Sequence, residues 1–302
     1  MTMSFNSKSA WVPVLPVLLV VATAIGACGR KEPATPPVAK ASVAVNRQAA
    51  PLGSPLDLTY KFVVANDAKF DEDYRVMLHV VDADGELMWT DDHDPPTPTT
   101  QWKPGQTVEY TRTVFVPIYP YVGDAGLQIG LYSPRTQTRL TLDGQDAGQR
   151  AYKAGTLQLQ PQSENIFTVF KDGWHPAEVA EHNASVEWQW TKKQATLAFK
   201  NPKKDATFYL QADNPGGVFN ENQKVKVTLG STVLDEFELT PQMPPVLRRI
   251  PIKADQMGAA EMAELQVTVD KTFVPMQVSG GASKDPRELG IRVFHAFIQP
   301  VG

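Results

Sequence analysis

The chain has 302 residues, with 29 Lys and Arg against 33 Asp and Glu, and one cysteine. A formal net charge of -4 argues against a nucleic-acid partner, because binding to phosphates depends on clustered Lys and Arg. One cysteine excludes an intramolecular disulfide, so stability must come from buried apolar surface, for which 42% apolar residues suffice. The length suits two domains of ordinary size.

Residues 1–27 have the layout of an export signal. One positive charge, Lys8, precedes an apolar run from Trp11 to Ala27. The run ends in Ile25-Gly26-Ala27-Cys28, which resembles the lipobox of bacterial lipoproteins. The resemblance implies that residues 1–27 are a lipoprotein signal peptide, that cleavage exposes Cys28, and that its thiol is lipidated. An uncleaved membrane helix, or a plain signal with an incidental cysteine, are the alternatives.

A lipidated Cys28 would make the membrane the first partner of the protein, since two or more fatty acyl chains such as palmitate anchor stably. Gly29 in place of Asp resembles outer-membrane sorting in Gram-negative lipoproteins. The expected location is therefore the cell envelope, on the outer membrane in a Gram-negative host. Residues 28–42, rich in proline, are predicted to be the lipidated cysteine and an extended linker.

Residues 43–161 are predicted to form an immunoglobulin-like β-sandwich. Alternation of apolar and polar residues favours strands over 56–64, 75–81 and 106–116. Asp82-Ala83-Asp84-Gly85 is typical of a hairpin turn, and a further hairpin is expected over 126–142, around Ser133-Pro134-Arg135. About seven short strands without a long helical pattern are typical of this sandwich.

Residues 162–302 are predicted to form a jelly-roll-like β-sandwich. Eight apolar runs separated by Gly-, Pro- and Asn-rich segments favour strands, among them 185–190, 194–200 and 206–212. Brief helical windows are expected at 176–181 and 254–261. The predicted fold class is thus all-β, with two sandwiches after the signal peptide and linker.

A histidine-containing segment offers a possible metal site. On a helix near Pro176, the side chains of His175, Glu178 and His182 would share one face and could present two imidazoles and a carboxylate. The spacing matches no established zinc-protease signature. The prediction is therefore no metal and no cofactor, with a metal-dependent hydrolase as the third functional hypothesis.

An acidic run, Asp91-Asp92-His93-Asp94, lies near Asp82 and Asp84 in the sequence. Carboxylate oxygens are the ligands that Ca²⁺ prefers, so a calcium site is one interpretation. The run lacks the twelve-residue calcium loop, and the other interpretation is a solvated acidic turn.

The aromatic residues suggest a glycan site. Trp188 and Trp190 lie two apart on a predicted strand and should project from one face. The first interpretation is that both pack in the core. If that face is exposed, the two indoles would form a platform for a sugar ring. Trp174 and Glu178 are further candidate ligand-binding residues.

A second cluster of candidate ligand-binding residues precedes the last strand. Asp285, Arg287 and Glu288 lie close together in the sequence. A planar guanidinium flanked by carboxylates can bind sugar hydroxyls, and it can equally form a structural ion pair at the start of a strand. The structural role is favoured.

Two groups of segments resemble β-sandwich domains that are appended to bacterial membrane glycosyltransferases and other envelope proteins. In the first sandwich these are 77–85, 94–96, 102–105, 130–134 and 139–140; in the second they are Gly173-Trp174-His175-Pro176-Ala177-Glu178, Trp188-Gln189-Trp190-Thr191 and Asp285-Pro286-Arg287-Glu288-Leu289-Gly290. The resemblance implies a sandwich fold and an envelope setting. It carries over no catalytic residues.

The sequence contains no phosphate loop, dinucleotide fingerprint or nucleophile elbow. The leading hypothesis is a non-enzymatic envelope lipoprotein that binds a glycan or an envelope partner. The alternative is a structural or assembly protein of the envelope without a small ligand.

Overall fold

The computed structural model describes residues 35–118, 121–162, 166–214 and 217–301. The predicted signal peptide, Cys28 and most of the predicted linker lie outside these residues. None of the helices in the described part of the chain has the length and hydrophobicity needed to cross a membrane.

The first half of the described chain is built of short strands and one 3₁₀ turn, Thr99–Gln101. The strands are β1 (Ala39–Val45), β2 (Ala49–Pro51), β3 (Pro55–Val64), β4 (Arg75–Val81), β5 (Leu87–Thr90), β6 (Thr107–Phe115), β7 (Gly123–Tyr132) and β8 (Tyr152–Gln160). They form a three-stranded sheet in the order β1-β3-β6 and a five-stranded sheet in the order β2-β8-β7-β4-β5. All pairs are antiparallel except β2 with β8.

Alternation of side chains creates the core between these two sheets. Along β3, Leu58, Tyr60 and Phe62 are at most 2% exposed. They join buried residues of the facing sheet such as Leu78 and Leu131 in one hydrophobic cluster. A strand that buries every second residue in this way places one face on a core.

The second half contains ten strands and one short helix, α1 (Pro275–Val278), among the described residues. The strands are β9 (Thr168–Phe170), β10 (Glu178–Ala180), β11 (Asn183–Trp190), β12 (Gln194–Lys200), β13 (Ala206–Asp213), β14 (Gln223–Leu229), β15 (Thr232–Leu239), β16 (Val246–Ile252), β17 (Met262–Val269) and β18 (Arg292–Pro300). They form two five-stranded sheets, β10-β11-β18-β13-β16 and β15-β14-β17-β12-β9. A second hydrophobic cluster, which includes Phe199, Phe208 and Leu265, lies between them.

The all-β sandwich class is confirmed. The immunoglobulin-like and jelly-roll assignments, and the domain limits at 161 and 162, stay predictions. The predicted linker is wrong at its end, because β1 begins at Ala39 and pairs with β3 from Ala39↔Val64 onward.

Both predicted helical windows are also wrong. Residues 178–180 form β10, which pairs with β11, and residues 254–257 form a turn. The helical spacing of 176–181 is overridden by strand pairing with a partner farther along the chain.

The two sandwiches belong to one compact unit, Pro36–Gly302, and contact each other directly. Arg249 of β16 forms an ion pair with Asp57 of β3 at 2.6 Å. The ring of Phe115 in β6 stacks on His295 in β18, with centroids 3.9 Å apart. These contacts cover part of the outer face of the sheet with the strand order β10-β11-β18-β13-β16.

Several sheet edges are short or interrupted. β2, β9 and β10 contain three residues each, and β2 includes Pro51. The edge strand β16 includes Pro251, and the edge strand β15 carries Asp235, Glu236 and Glu238.

Candidate functional site

Three segments of the second sandwich that are distant in sequence meet in space. The amide of His175 donates to the carbonyl of Trp190 at 2.9 Å, and the amide of Gly290 donates to the carbonyl of Thr191 at 2.6 Å. The Nε2 of His175 lies 2.7 Å from the carbonyl oxygen of Glu288. A carbonyl only accepts, so Nε2 carries the proton. The segments around residues 175, 190 and 288 therefore form one structural unit.

Two glycines allow this close approach. A Cβ at Gly290 would lie 2.5 Å from Oγ1 of Thr191. Gly173 has a φ of 86°, and a Cβ there would lie 1.9 Å from the carbonyl oxygen of Gln194. Only glycine fits both positions without displacement of the neighbouring backbone.

An ion cluster formed by Glu178, Asp285 and Arg287 joins two of these segments. Nη2 of Arg287 lies 2.6 Å from Oδ2 of Asp285, and Nη1 lies 2.7 Å from Oε1 of Glu178. The hydrogen bonds from Arg287 lower the pKa of Asp285 to about 2, and the same bonds raise the pKa of Arg287. The guanidinium is engaged by both carboxylates, and Oε1 of Glu178 is buried, so the cluster serves first to join the two segments.

Trp188 and Trp190 project from the outer face of the sheet, and neither belongs to the core between the sheets. Trp190 pairs with Arg292, whereas the next residue, Val293, is 4% exposed and belongs to that core. The first interpretation, that both indoles pack in the core, is therefore wrong about the face, although Trp190 is buried as it expects. Their common face, however, is confirmed.

The two indoles differ in exposure. Trp190 is 8% exposed, because Phe273 packs on it at 5.7 Å in a perpendicular arrangement. Trp188 is half-buried; Cζ of Arg292 lies 5.1 Å from its ring centre, and the ring of Phe294 lies 6.1 Å away. Trp188, Arg292 and Phe294 together are called the Trp188 surface below.

Two of the predicted ligand-binding residues point elsewhere. The indole nitrogen of Trp174 donates to the carbonyl of Thr196 at 2.8 Å, and its ring packs against Phe170 and the second core. The carboxylate of Glu288 accepts a hydrogen bond from Oγ1 of Thr272 at 2.8 Å. The structure thus does not bring Trp174 to the Trp188 surface.

The metal interpretation of residues 175–182 loses its geometric basis. The helix that would align the three side chains is absent, and His182 is an exposed residue between β10 and β11. Within the described ranges, no group of three or more His, Cys, Asp or Glu side chains is placed to hold a metal ion.

Asp91 of the acidic run belongs to a polar network, not to a calcium site. Its carboxylate accepts from Nε and Nη2 of Arg112, both at 2.9 Å, and from the hydroxyl of Tyr60 at 2.7 Å. Burial opposes ionisation, but these hydrogen bonds keep the pKa of Asp91 below its ordinary value. Nε2 of His93 lies 2.8 Å from the hydroxyl of Tyr110. The network connects the two sheets of the first sandwich.

A polar cleft on the first sandwich was not predicted. It has a volume of about 530 Å³ and lies between β4, β7 and the loop over residues 133–151. We call it the Arg139 cleft; its lining residues are Met77, His79, Asp92, Tyr132, Gln137, Arg139, Gln149 and Arg150. The expected hairpin over 126–142 is only partly correct, because β7 ends at Tyr132 and the return segment makes a single bridge, Tyr132↔Arg139.

Comparisons with known proteins gave distant structural likenesses. No family model matches the chain, and no curated protein matches it. A solved family GH115 4-O-methyl-α-glucuronidase with specificity for decorated arabinogalactans is 14% identical, with a TM-score of 0.33 over 50% of this chain and 19% of that one.

Two further solved structures were similar. Bacteroides uniformis β-glucuronidase 2 is 10% identical, with a TM-score of 0.29 over 84% of this chain and 28% of that one. The tandem CBM22 domains of Paenibacillus barcinonensis Xyn10C are 10% identical, with a TM-score of 0.25 over 87% of this chain and 92% of that one. The chain therefore spans less than a third of either glucuronidase. All three TM-scores are too low to bear on function.

Proposed function

We propose that this protein is a non-enzymatic binding module of the bacterial cell envelope, anchored through a lipid on Cys28, and that it binds a glycan on the second sandwich. The observation that carries the glycan proposal is the Trp188 surface. A half-buried indole on the outer face of a sheet offers a flat apolar surface to the C–H face of a sugar ring. The alternative, an assembly protein without a small ligand, predicts no such binding.

The Trp188 surface is held in place by an ion pair on the neighbouring strand. Asp213 of β13 accepts from Nε of Arg292 at 2.8 Å and from Nη2 at 2.6 Å. Such a bidentate pair fixes the plane of the guanidinium, against which Trp188 and Phe294 both lie. The aromatic side chains therefore lose little conformational entropy when a ligand binds.

Hydrogen-bond acceptors lie beside this surface. Glu178 is directly opposite Trp188 in the pairing of β10 with β11, so both side chains stand on the same face. Its carboxylate is held by Arg287 at 2.7 Å. The oxygen that Arg287 holds, Oε1, is buried, so Oε2, which accepts from the indole nitrogen of Trp190 at 3.4 Å, is the oxygen that we propose for a sugar hydroxyl. An apolar face with a few polar groups is the usual composition of a small-ligand site.

The test is titration of the full-length chain in detergent with envelope polysaccharide, followed by tryptophan fluorescence. We expect Trp188→Ala to weaken binding about threefold to tenfold, as loss of an aromatic contact of about 0.5–1.5 kcal/mol requires. Trp174→Phe is the matched control, because that side chain packs on the core, and it should bind as the parent does. No response in the parent, or an equal response in Trp188→Ala, would count against the proposal.

The lipid anchor has an independent test. Cys28→Ser should remove incorporation of labelled palmitate and move the protein from the membrane fraction to the soluble fraction. Retention of the Cys28→Ser variant on membranes would overturn the anchor and leave the glycan proposal to its own experiment.

A further inference from the structure

We propose that the Arg139 cleft is a second ligand site, on the first sandwich, and that it selects a sugar carrying one carboxylate group. The cleft lies in a different sandwich from the Trp188 surface, so this inference goes beyond the function proposed above.

The cleft contains two arginines without a carboxylate partner. In the described part of the chain, neither Arg139 nor Arg150 forms an ion pair. Nη1 of Arg139 donates to the carbonyl of Gln149 at 3.1 Å, and Nη1 of Arg150 donates to the carbonyl of Arg139 at 2.5 Å. A guanidinium has five N–H donors, so most donors of both groups remain for a ligand.

The balance of charge in the cleft favours a monoanion. Two guanidinium groups stand against one carboxylate, that of Asp92. Burial lowers the pKa of His79, so its imidazole is neutral at pH 7. Arg75, beside the cleft, is already paired with Asp94 at 3.1 Å. One excess positive charge matches one carboxylate, and Asp92 disfavours a ligand with two negative charges.

The backbone that presents the arginines is strained. Among the described residues, five residues other than glycine have a positive φ, and three of them line this cleft: Gln137 at 61°, Gln149 at 55° and Arg150 at 58°. Such a conformation is unfavourable for residues other than glycine, and it is concentrated at active sites and ligand sites. The turn at 149 and 150 also aims the carbonyl of Gln149 at Arg139. The residues with positive φ thus lie in the same loop that brings the guanidinium groups of Arg139 and Arg150 to one cleft.

The remaining lining residues suit a sugar. The side chain of Gln149 can donate and accept hydrogen bonds, and that of Gln137, whose amide nitrogen donates to the carbonyl of Pro134 at 2.9 Å, keeps its oxygen as an acceptor. Tyr132 and Asp92, which share a hydrogen bond, add a hydroxyl and a carboxylate. Hydroxyl groups need this mixture, whereas a planar fork of N–H donors fits a carboxylate. A volume of about 530 Å³ is within the common range for small-ligand sites.

The test compares two disaccharides that differ only at the terminal residue, glucuronic acid or glucose. Binding to the full-length chain in detergent is measured by calorimetry at low ionic strength, where charge contacts are least screened. We expect the acidic disaccharide to bind at least about tenfold more tightly, since a charge-assisted hydrogen bond contributes about 1.5–3 kcal/mol.

Variants locate the site. Arg139→Gln and Arg150→Gln should each weaken binding of the acidic disaccharide about tenfold or more and leave the neutral one unchanged. Arg135→Gln is the control, because Arg135 lies exposed in the same loop outside the cleft. Circular dichroism shows that each variant is folded.

Any of these results would overturn the proposal: no binding of the acidic disaccharide, equal affinity for both disaccharides, or full binding by the folded Arg139→Gln and Arg150→Gln variants. Loss of acidic binding in Trp188→Ala would also overturn it, because the ligand would then occupy the Trp188 surface. Failure of the Trp188 proposal leaves the results at Arg139 unchanged, so the two can be separated.

Discussion

The substitution Asp91→Ala tests whether the polar network of the first sandwich stabilises the fold. The carboxylate of Asp91 is 12% exposed and accepts hydrogen bonds from Arg112 and Tyr60, and Tyr60 itself is fully buried. Removal of the carboxylate leaves the hydroxyl of Tyr60 without its acceptor. It also leaves the guanidinium of Arg112 without its counter-charge.

The structure sets the size of the effect. A hydrogen bond to a charged group contributes about 1.5–3 kcal/mol, and a buried hydroxyl without a partner costs about 1–3 kcal/mol. The side chain of Arg112 is 38% exposed, so water replaces part of what Arg112 loses. We expect Asp91→Ala to lower the free energy of unfolding by about 3 kcal/mol and Tyr60→Phe by about 1 kcal/mol. The double variant should cost less than the sum, because the two changes share one hydrogen bond.

Native-state hydrogen exchange read by mass spectrometry measures this effect sandwich by sandwich. Peptides from β4 and β6 report on the first sandwich, and a peptide from β12 in the second core is the internal control. A loss below about 1 kcal/mol in β4 and β6, or strictly additive costs in the double variant, would refute the assignment of Asp91 as the centre of the network.

Three further predictions concern other parts of the molecule. Burial lowers the pKa of His93, so between pH 7 and pH 5 the unfolded chain takes up a proton that the folded chain does not, and stability falls as the pH falls. His93→Gln should flatten this slope in thermal melts across that range, and an unchanged slope would contradict the burial argument. Gly290→Ala should lower the melting temperature, whereas Gly155→Ala, whose Cβ would meet only ordinary contacts from 3.6 Å outward, should not; equal melting temperatures would show that the chain relaxes around the new methyl group. Arg287→Gln should move the pKa of Asp285 from about 2 back toward its ordinary value, which carbonyl chemical shifts measure by NMR; a pKa that stays near 2 would point to a different cause.

Strands with strict alternation could be predicted from the sequence, because the pattern records which face is buried. The predicted strand over 75–81 coincides with β4, and the one over 56–64 lies within β3. Gly85 has the positive φ of 86° that its predicted turn requires. In these cases local chemistry and tertiary packing favour the same conformation.

The failures occur where strand pairing or unusual backbone angles decide the conformation, and not the local apolar pattern. The helical spacing around Glu178 is overridden by its pairing with Trp188 in β11. The loop that carries Arg139 and Arg150 is fixed by positive φ values at glutamine and arginine, residue types that give no signal of such a turn.

For the candidate site, the sequence indicates that Trp188 and Trp190 share a face. Which face they share depends on the pairing of Trp190 with Arg292, about 100 residues later in the chain, and no local pattern records that pairing. The same holds for the meeting of Glu178 with Arg287.

The sheet edges have a consequence for how copies of this protein meet at high concentration. An open strand edge is a template for pairing with a neighbouring molecule and for aggregation. Here β2 and β16 carry Pro51 and Pro251, which lack the N–H that such pairing needs. β15 carries three acidic side chains, of which Asp235 and Glu236 form ion pairs with Arg248 and Lys226. Pairing of neighbouring copies through β2 and β16 would therefore be weakened, because each proline removes one hydrogen bond that such pairing could use.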